Sequence, residues 1–386
     1  MNKQYGWYGL LLVGLGVALA VYLDRPRLKR AGSVAVSAAL GSGDSTGYQR
    51  AYQPRPFYFP DDHGPHPEFR NEWWYVTGNL ADAAGRQFGY QLTLFRIALS
   101  PDPPAGDSAW RTNQVYMGHF AVTDAANGKH HTFERFSRGA AGLAGAQATP
   151  FRVWLENWQL SGTESGAFPM QLQARDGDIA LNLTLRAGKP VVLQGDRGLS
   201  QKSAAPGNAS YYYSYTRLPA SGVMVLNDQI FQVAGFSWLD REWSTSALGP
   251  AQSGWDWFAL QLDDGREVMF YRLRHRDGSM DSFSRGVLVD QDGQARLLRW
   301  DEVNLQPLGE WVSPYSGDRY PAAWRLQLPS ENLELTVTPK VADQEMRLTV
   351  RYWEGAVAVT GRAGERQIQG QGYLEMTRYD PAASQH

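Results

Sequence analysis

The sequence predicts an all-β protein, built as two tandem antiparallel β-barrel domains after an N-terminal hydrophobic helix. Three observations point there. Aromatic residues are dense: 14 Trp, 19 Tyr and 15 Phe make up 12% of the chain. Forty Gly and 21 Pro provide frequent turns. Long amphipathic helical periodicity is scarce, and apolar residues recur instead in short segments bounded by turn residues. At 386 residues the chain is too long for one compact core and suits two domains.

The first element is Tyr5 to Leu23, an uncharged stretch of 19 residues, within the ~17–25 that span a bilayer as a helix. Residues 1–30 therefore read as a membrane anchor, or as a secretory signal cut near Ala35 to Ala39. Lys3 precedes the stretch, whereas Arg25, Arg27, Lys29 and Arg30 follow it. Taken alone, those charges would keep the rest of the chain in the cytoplasm. Residues 31–55 begin rich in Ala, Gly and Ser and read as a flexible linker.

From Phe57 onward strands and turns alternate. Glu72 to Leu80, the turn Ala81 to Arg86, and Gln87 to Arg96 predict a hairpin. Val115 to Thr123, Phe151 to Leu160, Met170 to Ala174 and Ile179 to Arg186 continue the series. In the last of these Leu181, Leu183 and Leu185 alternate with polar residues, the period of a half-buried strand. A second hairpin, Trp255 to Leu262 and Glu267 to Arg274, repeats the plan of the first. Each runs from an aromatic strand through a turn ending Gly-Arg to an aromatic strand ending in Arg. The match suggests one β domain used twice, with a junction at the turn-rich Leu218 to Gly222. The domains are expected at 56–220 and 221–382. Closing so many strands into barrels removes their edges.

Composition excludes several chemistries. A net charge of −2 without like-charge blocks argues against nucleic acid as a partner. Without cysteine there is no thiol catalysis, no Cys-ligated zinc, no disulfide and no lipoprotein anchor. Nucleophilic serine chemistry needs a Gly-x-Ser-x-Gly elbow between strand and helix, and the predicted structure offers few helices. Gly139 to Gly145 lacks both the P-loop lysine and dinucleotide spacing. His66, Glu72 and His119 could in principle ligate a metal, but their spacing fits no metal motif, and a lone strand histidine is usually a hydrogen-bonded structural residue. No metal and no cofactor is expected.

General acid–base chemistry remains. Asp61 to Tyr75 packs two histidines and several acids against Trp73, Trp74 and Tyr75, and Trp238 to Trp243 forms a second acid–aromatic cluster. Glu72, Asp240, Glu242 and Asp256 each neighbour Trp. A carboxyl desolvated by indoles has a raised pKa and can donate a proton at neutral pH. Indole faces stabilise a developing cation. Protonating an alkene and trapping the carbocation with water needs only those parts. Two other readings compete: Arg241 simply pairs with its neighbouring acids, and most of the aromatics, Tyr211 to Tyr213 included, are packing.

The stretches Asp62-x-Gly64-x-His66, Glu72-Trp73-Trp74-Tyr75-x-Thr77-Gly78-x-Leu80 and Gly89-x-Gln91-x-Thr93-x-Phe95-Arg96 carry a resemblance. So do Met117-Gly118-His119, Gly198-Leu199-Ser200-x-Lys202, Tyr212-Tyr213-Ser214 and Trp238-x-Asp240-x-Glu242-Trp243. Over about Phe57 to Tyr379 the chain resembles the bacterial carotenoid 1,2-hydratase / AttH-like family of lipocalin-related proteins. The resemblance implies two lipocalin-like barrels and a hydrophobic ligand, isoprenoid or lipid-like. It also implies water addition to a C=C bond without a cofactor, and a place in the cell envelope on the periplasmic side, anchored or secreted. Asp240 or Glu242 is then the expected proton donor, with Glu72 and His119 orienting water. Trp73, Trp74, Tyr75, Trp238, Trp243, Trp257 and Tyr271 are the expected ligand wall. The alternative is a non-catalytic carrier of a hydrophobic ligand, membrane-attached through its N-terminal segment and serving an ABC-type export system.

Overall fold

The computed structural model describes residues 45–377 apart from 165, 246 and 247, together with Tyr379. The expected leader at 1–30 and the first part of the expected linker lie outside those residues. Among the described residues no helix is long and apolar enough to cross a membrane, and helical structure is limited to short 3-10 turns.

The fold is all-β, as predicted, in two antiparallel barrel-like sheets. The first begins with β1 (Asn71–Asp82), β2 (Gln87–Ala98), β3 (Gln114–Asp124) and β4 (Lys129–Arg138). Short strands follow: β5 (Ala144–Gln147), β6 (Arg152–Leu155), β7 (Trp158–Thr163), β8 (Gly166–Asp176), β9 (Ile179–Leu185), β10 (Val192–Leu193) and β11 (Leu199–Gln201). Two long strands, β12 (Ala209–Leu226) and β13 (Gln229–Ser244), complete it. The second sheet holds β14 (Gln252–Leu262), β15 (Glu267–His275), β16 (Arg285–Val289), β17 (Ala295–Arg299) and β18 (Asn304–Val312). It ends with β19 (Arg319–Leu328), β20 (Leu333–Pro339), β21 (Glu345–Arg347), β22 (Arg351–Ala363) and β23 (Arg366–Met376).

Both sheets share a plan. A four-stranded meander, β4-β3-β2-β1 in one and β17-β16-β15-β14 in the other, pairs its first strand with the last strand of the sheet, β13 or β23. The repeated hairpins seen in the sequence occupy equivalent places, β1–β2 and β14–β15. The division between the sheets differs from the expected 220/221 boundary. Leu218 to Gly222 lies inside β12, paired to β13, and the first sheet continues to Ser244. The turn-like residues there mark a register shift between Tyr215 and Leu218, and a close backbone approach. A Cβ on Gly222 would stand 2.1 Å from the Asn182 carbonyl oxygen.

The end of the expected linker is packed. Ala51 is buried, the Gln49 amide donates to the Glu68 carbonyl at 2.9 Å, and the Tyr48 hydroxyl donates to the Ala98 carbonyl at 3.0 Å.

Each barrel has its own apolar interior, around Trp74, Leu92, Phe120 and Leu183 in the first and Phe258, Trp324, Leu335 and Val357 in the second. Strand β9 shows the one-face alternation that the sequence predicts. Strands β1, β2 and β3 do not, because they are buried on both faces. One face fills the first barrel. The other packs on the second barrel, through Tyr75, Trp238, Trp257 and Tyr373 in one cluster and Phe95, Met117, Met346 and Tyr352 in another. Successive side chains point to opposite faces, so every motif on these strands is divided between two environments.

Candidate active site

A cavity of about 140 Å³ lies where the two sheets meet. Strand register builds its floor. Trp73 pairs with Glu242, and Tyr75 with Asp240, across β1 and β13. Tyr212 and Ser214 of β12 stand opposite Glu242 and Asp240. Trp73, Tyr75, Phe95, Trp255, Trp257 and Leu273 make the lining mostly apolar.

Asp240 is buried and receives three hydrogen bonds, from the Tyr212 hydroxyl (2.5 Å), Ser214 Oγ (2.5 Å) and Trp238 Nε1 (2.6 Å). Burial pushes its pKa up to about 7, against the three donors. Lys202, the cation lining this cavity, sits 3.1 Å from Glu242 rather than on Asp240. Burial would lower the Lys202 pKa, but Glu242 and then Tyr271 raise it, so the ammonium persists. Ser210 also donates to Glu242. Trp257 Nε1 reaches the Tyr212 hydroxyl at 3.2 Å, which connects the second barrel to the Asp240 network.

Two more carboxyls face the cavity from the second barrel. Glu354 of β22 and Glu375 of β23 are direct cross-strand partners. Burial pushes Glu354 up to about 7, opposed by the nearby Tyr75 and Tyr352 hydroxyls. Neither hydroxyl closes a hydrogen bond of normal length on it, and both Glu354 oxygens are without a partner. Burial, and then the charge of Glu354, hold Glu375 well above the usual carboxylate range. Two like charges this close do not ionise together, so the pair retains a proton near neutrality.

The expected site residues separate by face. Asp240, Glu242, Trp73, Tyr75, Trp257 and Tyr271 line the cavity. Trp238 stands behind Asp240 as a hydrogen-bond donor. Glu72, Trp74 and Trp243 point the other way, into the first barrel. Glu72 is fully buried and bound by Arg96 and Arg241. Burial would raise its pKa, but those guanidiniums and His66 hold it well below the usual carboxylate range, so it carries no transferable proton. Trp74 lies under Arg241, whose guanidinium carbon is 3.9 Å from the ring centre. Trp243 stacks on His66 at 3.8 Å. Asp256 is likewise committed to Arg272 (2.7 Å) and Arg274. His119 does not touch the cavity: Nδ1 meets the Tyr352 hydroxyl at 2.8 Å and Nε2 meets Glu134 at 3.2 Å. Both ring nitrogens are thus taken by protein groups rather than facing the cavity.

Sequence reasoning missed Glu354, Glu375 and Tyr352. The signal was present in Tyr352-Trp353-Glu354 and Tyr373-Leu374-Glu375, which set acids beside aromatics as the other clusters do. Lys202 lay inside a quoted motif without a role. Among the described residues no group of three or more His, Cys, Asp or Glu side chains is arranged to hold a metal ion.

Comparison with known proteins agrees with this architecture. Residues 50–379 match the AttH-like family. A solved protein from Nitrosomonas europaea bearing the AttH designation superposes with a TM-score of 0.74 at 34% identity, covering 84% of this chain and 98% of that one. Kievitone hydratase from Nectria haematococca shares the fold at 13% identity, with a TM-score of 0.65 and coverage of 86% and 97%. Kievitone hydratase from Fusarium solani subsp. phaseoli is 23% identical over 220 residues, 53% of this chain and 58% of the relative's length.

Proposed function

Because this chain belongs to the AttH-like family, we propose that it is a cofactor-independent hydratase. It adds water to a C=C bond of an apolar, isoprenoid or lipid-like substrate in the cavity between the barrels. One observation carries this reading. Asp240 is a buried carboxyl poised near pH 7, held by three neutral donors, facing an aromatic cavity. The partial likeness to kievitone hydratase supports the reaction class.

In the proposed reaction Asp240 delivers its proton to one alkene carbon, and the π pair becomes the new C–H bond. The other carbon becomes cationic and is stabilised by the faces of Trp73 and Trp257. A water oxygen closes the C–O bond, and the resulting oxonium gives its extra proton to a cavity carboxylate. The proposed place of action is the cell envelope on the periplasmic side, a reading supported by the apolar Tyr5 to Leu23 stretch and the family resemblance. Asp240→Asn tests the mechanism: product carrying one added water, scored by mass spectrometry on acyclic isoprenoids, should vanish while ligand affinity stays within a few-fold. Undiminished turnover in a folded variant would rule out Asp240 as the acid.

The mostly apolar lining also favours a second reading, a non-catalytic carrier linked to an export system. That protein would copurify with an apolar ligand in native mass spectrometry and return it unchanged.

A further inference from the structure

Catalysis in this cavity requires a base as well as an acid, and the two barrels supply different halves of it. We propose that Glu354 is the group that deprotonates the attacking water, and that Tyr352, His119 and Glu134 connect it to solvent. This rests on the hydratase reading above.

Geometry singles out Glu354 among the cavity carboxyls. Asp240 has three donors, and Glu242 is taken by Lys202 and Ser210. Glu354 lines the same cavity from the opposite barrel, is 1% exposed, and has both oxygens unpartnered. A buried, unsatisfied acceptor aimed into a binding cavity is costly unless something bearing a hydrogen-bond donor visits it. Water positioned to attack is such a donor. Tyr75 faces Glu354 from β1, Tyr352 stands two residues away on β22, and Glu375 and Tyr373 face it from β23. None of these is a cation that would lock the carboxylate in an ion pair.

The route outward starts at Tyr352, whose hydroxyl lies near Glu354 without closing a hydrogen bond of normal length on it, so in this proposal the visiting water bridges that first gap. Tyr352 shares the outer face of β22 with Glu354, and its hydroxyl meets His119 Nδ1 at 2.8 Å. His119 Nε2 meets Glu134 at 3.2 Å, and the Glu134 side chain is 13% exposed. A histidine bonded through both ring nitrogens can pass a proton by exchanging tautomers. The step balances as follows. Asp240 loses a proton to carbon, the water oxygen bonds to the cation, and the oxonium O–H breaks toward Glu354. That proton leaves through Tyr352, His119 and Glu134, and Asp240 takes one up from solvent. The net change is one water added to the alkene.

The test compares Glu354→Gln, Asp240→Asn and His119→Phe with wild type, using squalene and geranylgeraniol as first alkene probes. Glu354→Gln should lower kcat by about 10²-fold or more, leave KM within a few-fold, and abolish the acid limb of the pH profile. His119→Phe, which keeps a ring in place, should lower kcat several-fold at unchanged KM. If Glu354→Gln does not fold, Glu354→Asp withdraws the same carboxylate and should show the same kcat loss. Infrared titration of the ligand-free protein needs no substrate: Glu354→Gln should lose a protonated-carboxyl band that wild type loses on passing neutrality. An unchanged band, or wild-type kcat with an intact acid limb while Asp240→Asn is inactive, overturns the role of Glu354 and leaves the hydratase reading standing. Wild-type kcat in His119→Phe overturns the relay. An active Asp240→Asn overturns the hydratase reading itself.

Discussion

Asp240 and Arg241 are consecutive on β13 and serve separate compartments. The Asp240 carboxyl faces the inter-barrel cavity under three neutral donors. The Arg241 guanidinium faces the first barrel, where it pairs with Glu72 and lies over Trp74. Strand alternation therefore does what a longer distance would otherwise have to do. It keeps a permanent cation away from a carboxyl whose pKa burial pushes up to about 7.

Removing Tyr212's hydroxyl should shift the basic limb of activity. Tyr212 is one of the groups that hold the Asp240 pKa down. Without it, Tyr212→Phe should raise that pKa further and carry activity to higher pH, by on the order of one unit if a single hydrogen bond of ~1–1.5 kcal/mol is lost. A pH–rate profile of kcat/KM checks this, and a basic limb moving the other way refutes the donor's role.

Asp240 also makes stability depend on pH. Its folded-state pKa of about 7 lies above the ~3.9 of an unfolded aspartate. The folded state therefore binds more protons between those values. Stability contributed by this group is complete below about pH 4 and declines until the pH passes about 7. Urea unfolding of wild type and Asp240→Asn at pH 5 and pH 8 should show a smaller pH dependence in the variant. Equal slopes would mean Asp240 does not titrate in this window.

Glu72 acts in the opposite sense. Arg96 and Arg241, both essentially unexposed, depend on its charge. Glu72→Gln should destabilise the protein by ~3–5 kcal/mol, the usual cost of orphaning a buried partner. Its depressed pKa means its stabilisation is present above the ordinary glutamate range and fades as pH falls below it. Denaturant curves measure the loss. The folded variant should still turn over substrate, since Glu72 does not face the cavity.

The barrel contact is tight at Gly89. A Cβ there would stand 2.5 Å from the Ala356 Cβ of the second barrel. Gly89→Ala should cost ~1–3 kcal/mol in overpacking, readable as a lower melting temperature with secondary structure intact by circular dichroism.

Strands and barrel class could be read from the chain because alternation and turn residues are local. Ile179 to Leu185 shows its buried face in its spelling. The faces of β1 and of Ser237 to Ser244 in β13 could not be read, because both sides are covered there and burial is nearly continuous. Nothing local tells Glu72 apart from Asp240: each is an acid among aromatics, and only the register reveals which side holds the arginines. Glu354 and Glu375 were missed for a related reason. Their place in the cavity depends on β22 and β23 lying against β2 and β1, a long-range packing that no segment encodes by itself. The boundary error at Leu218 to Gly222 came from reading a bulge and a close backbone approach as a break.

Because β1, β2 and β3 are covered on both sides, the chain cannot be halved without harm. Severing it between Ser244 and Gln252 would leave each piece with a raw, greasy flank and only some of the reactive groups. On the proposed hydratase reading the chemistry belongs to the seam, and loosening that seam should silence it before either half melts.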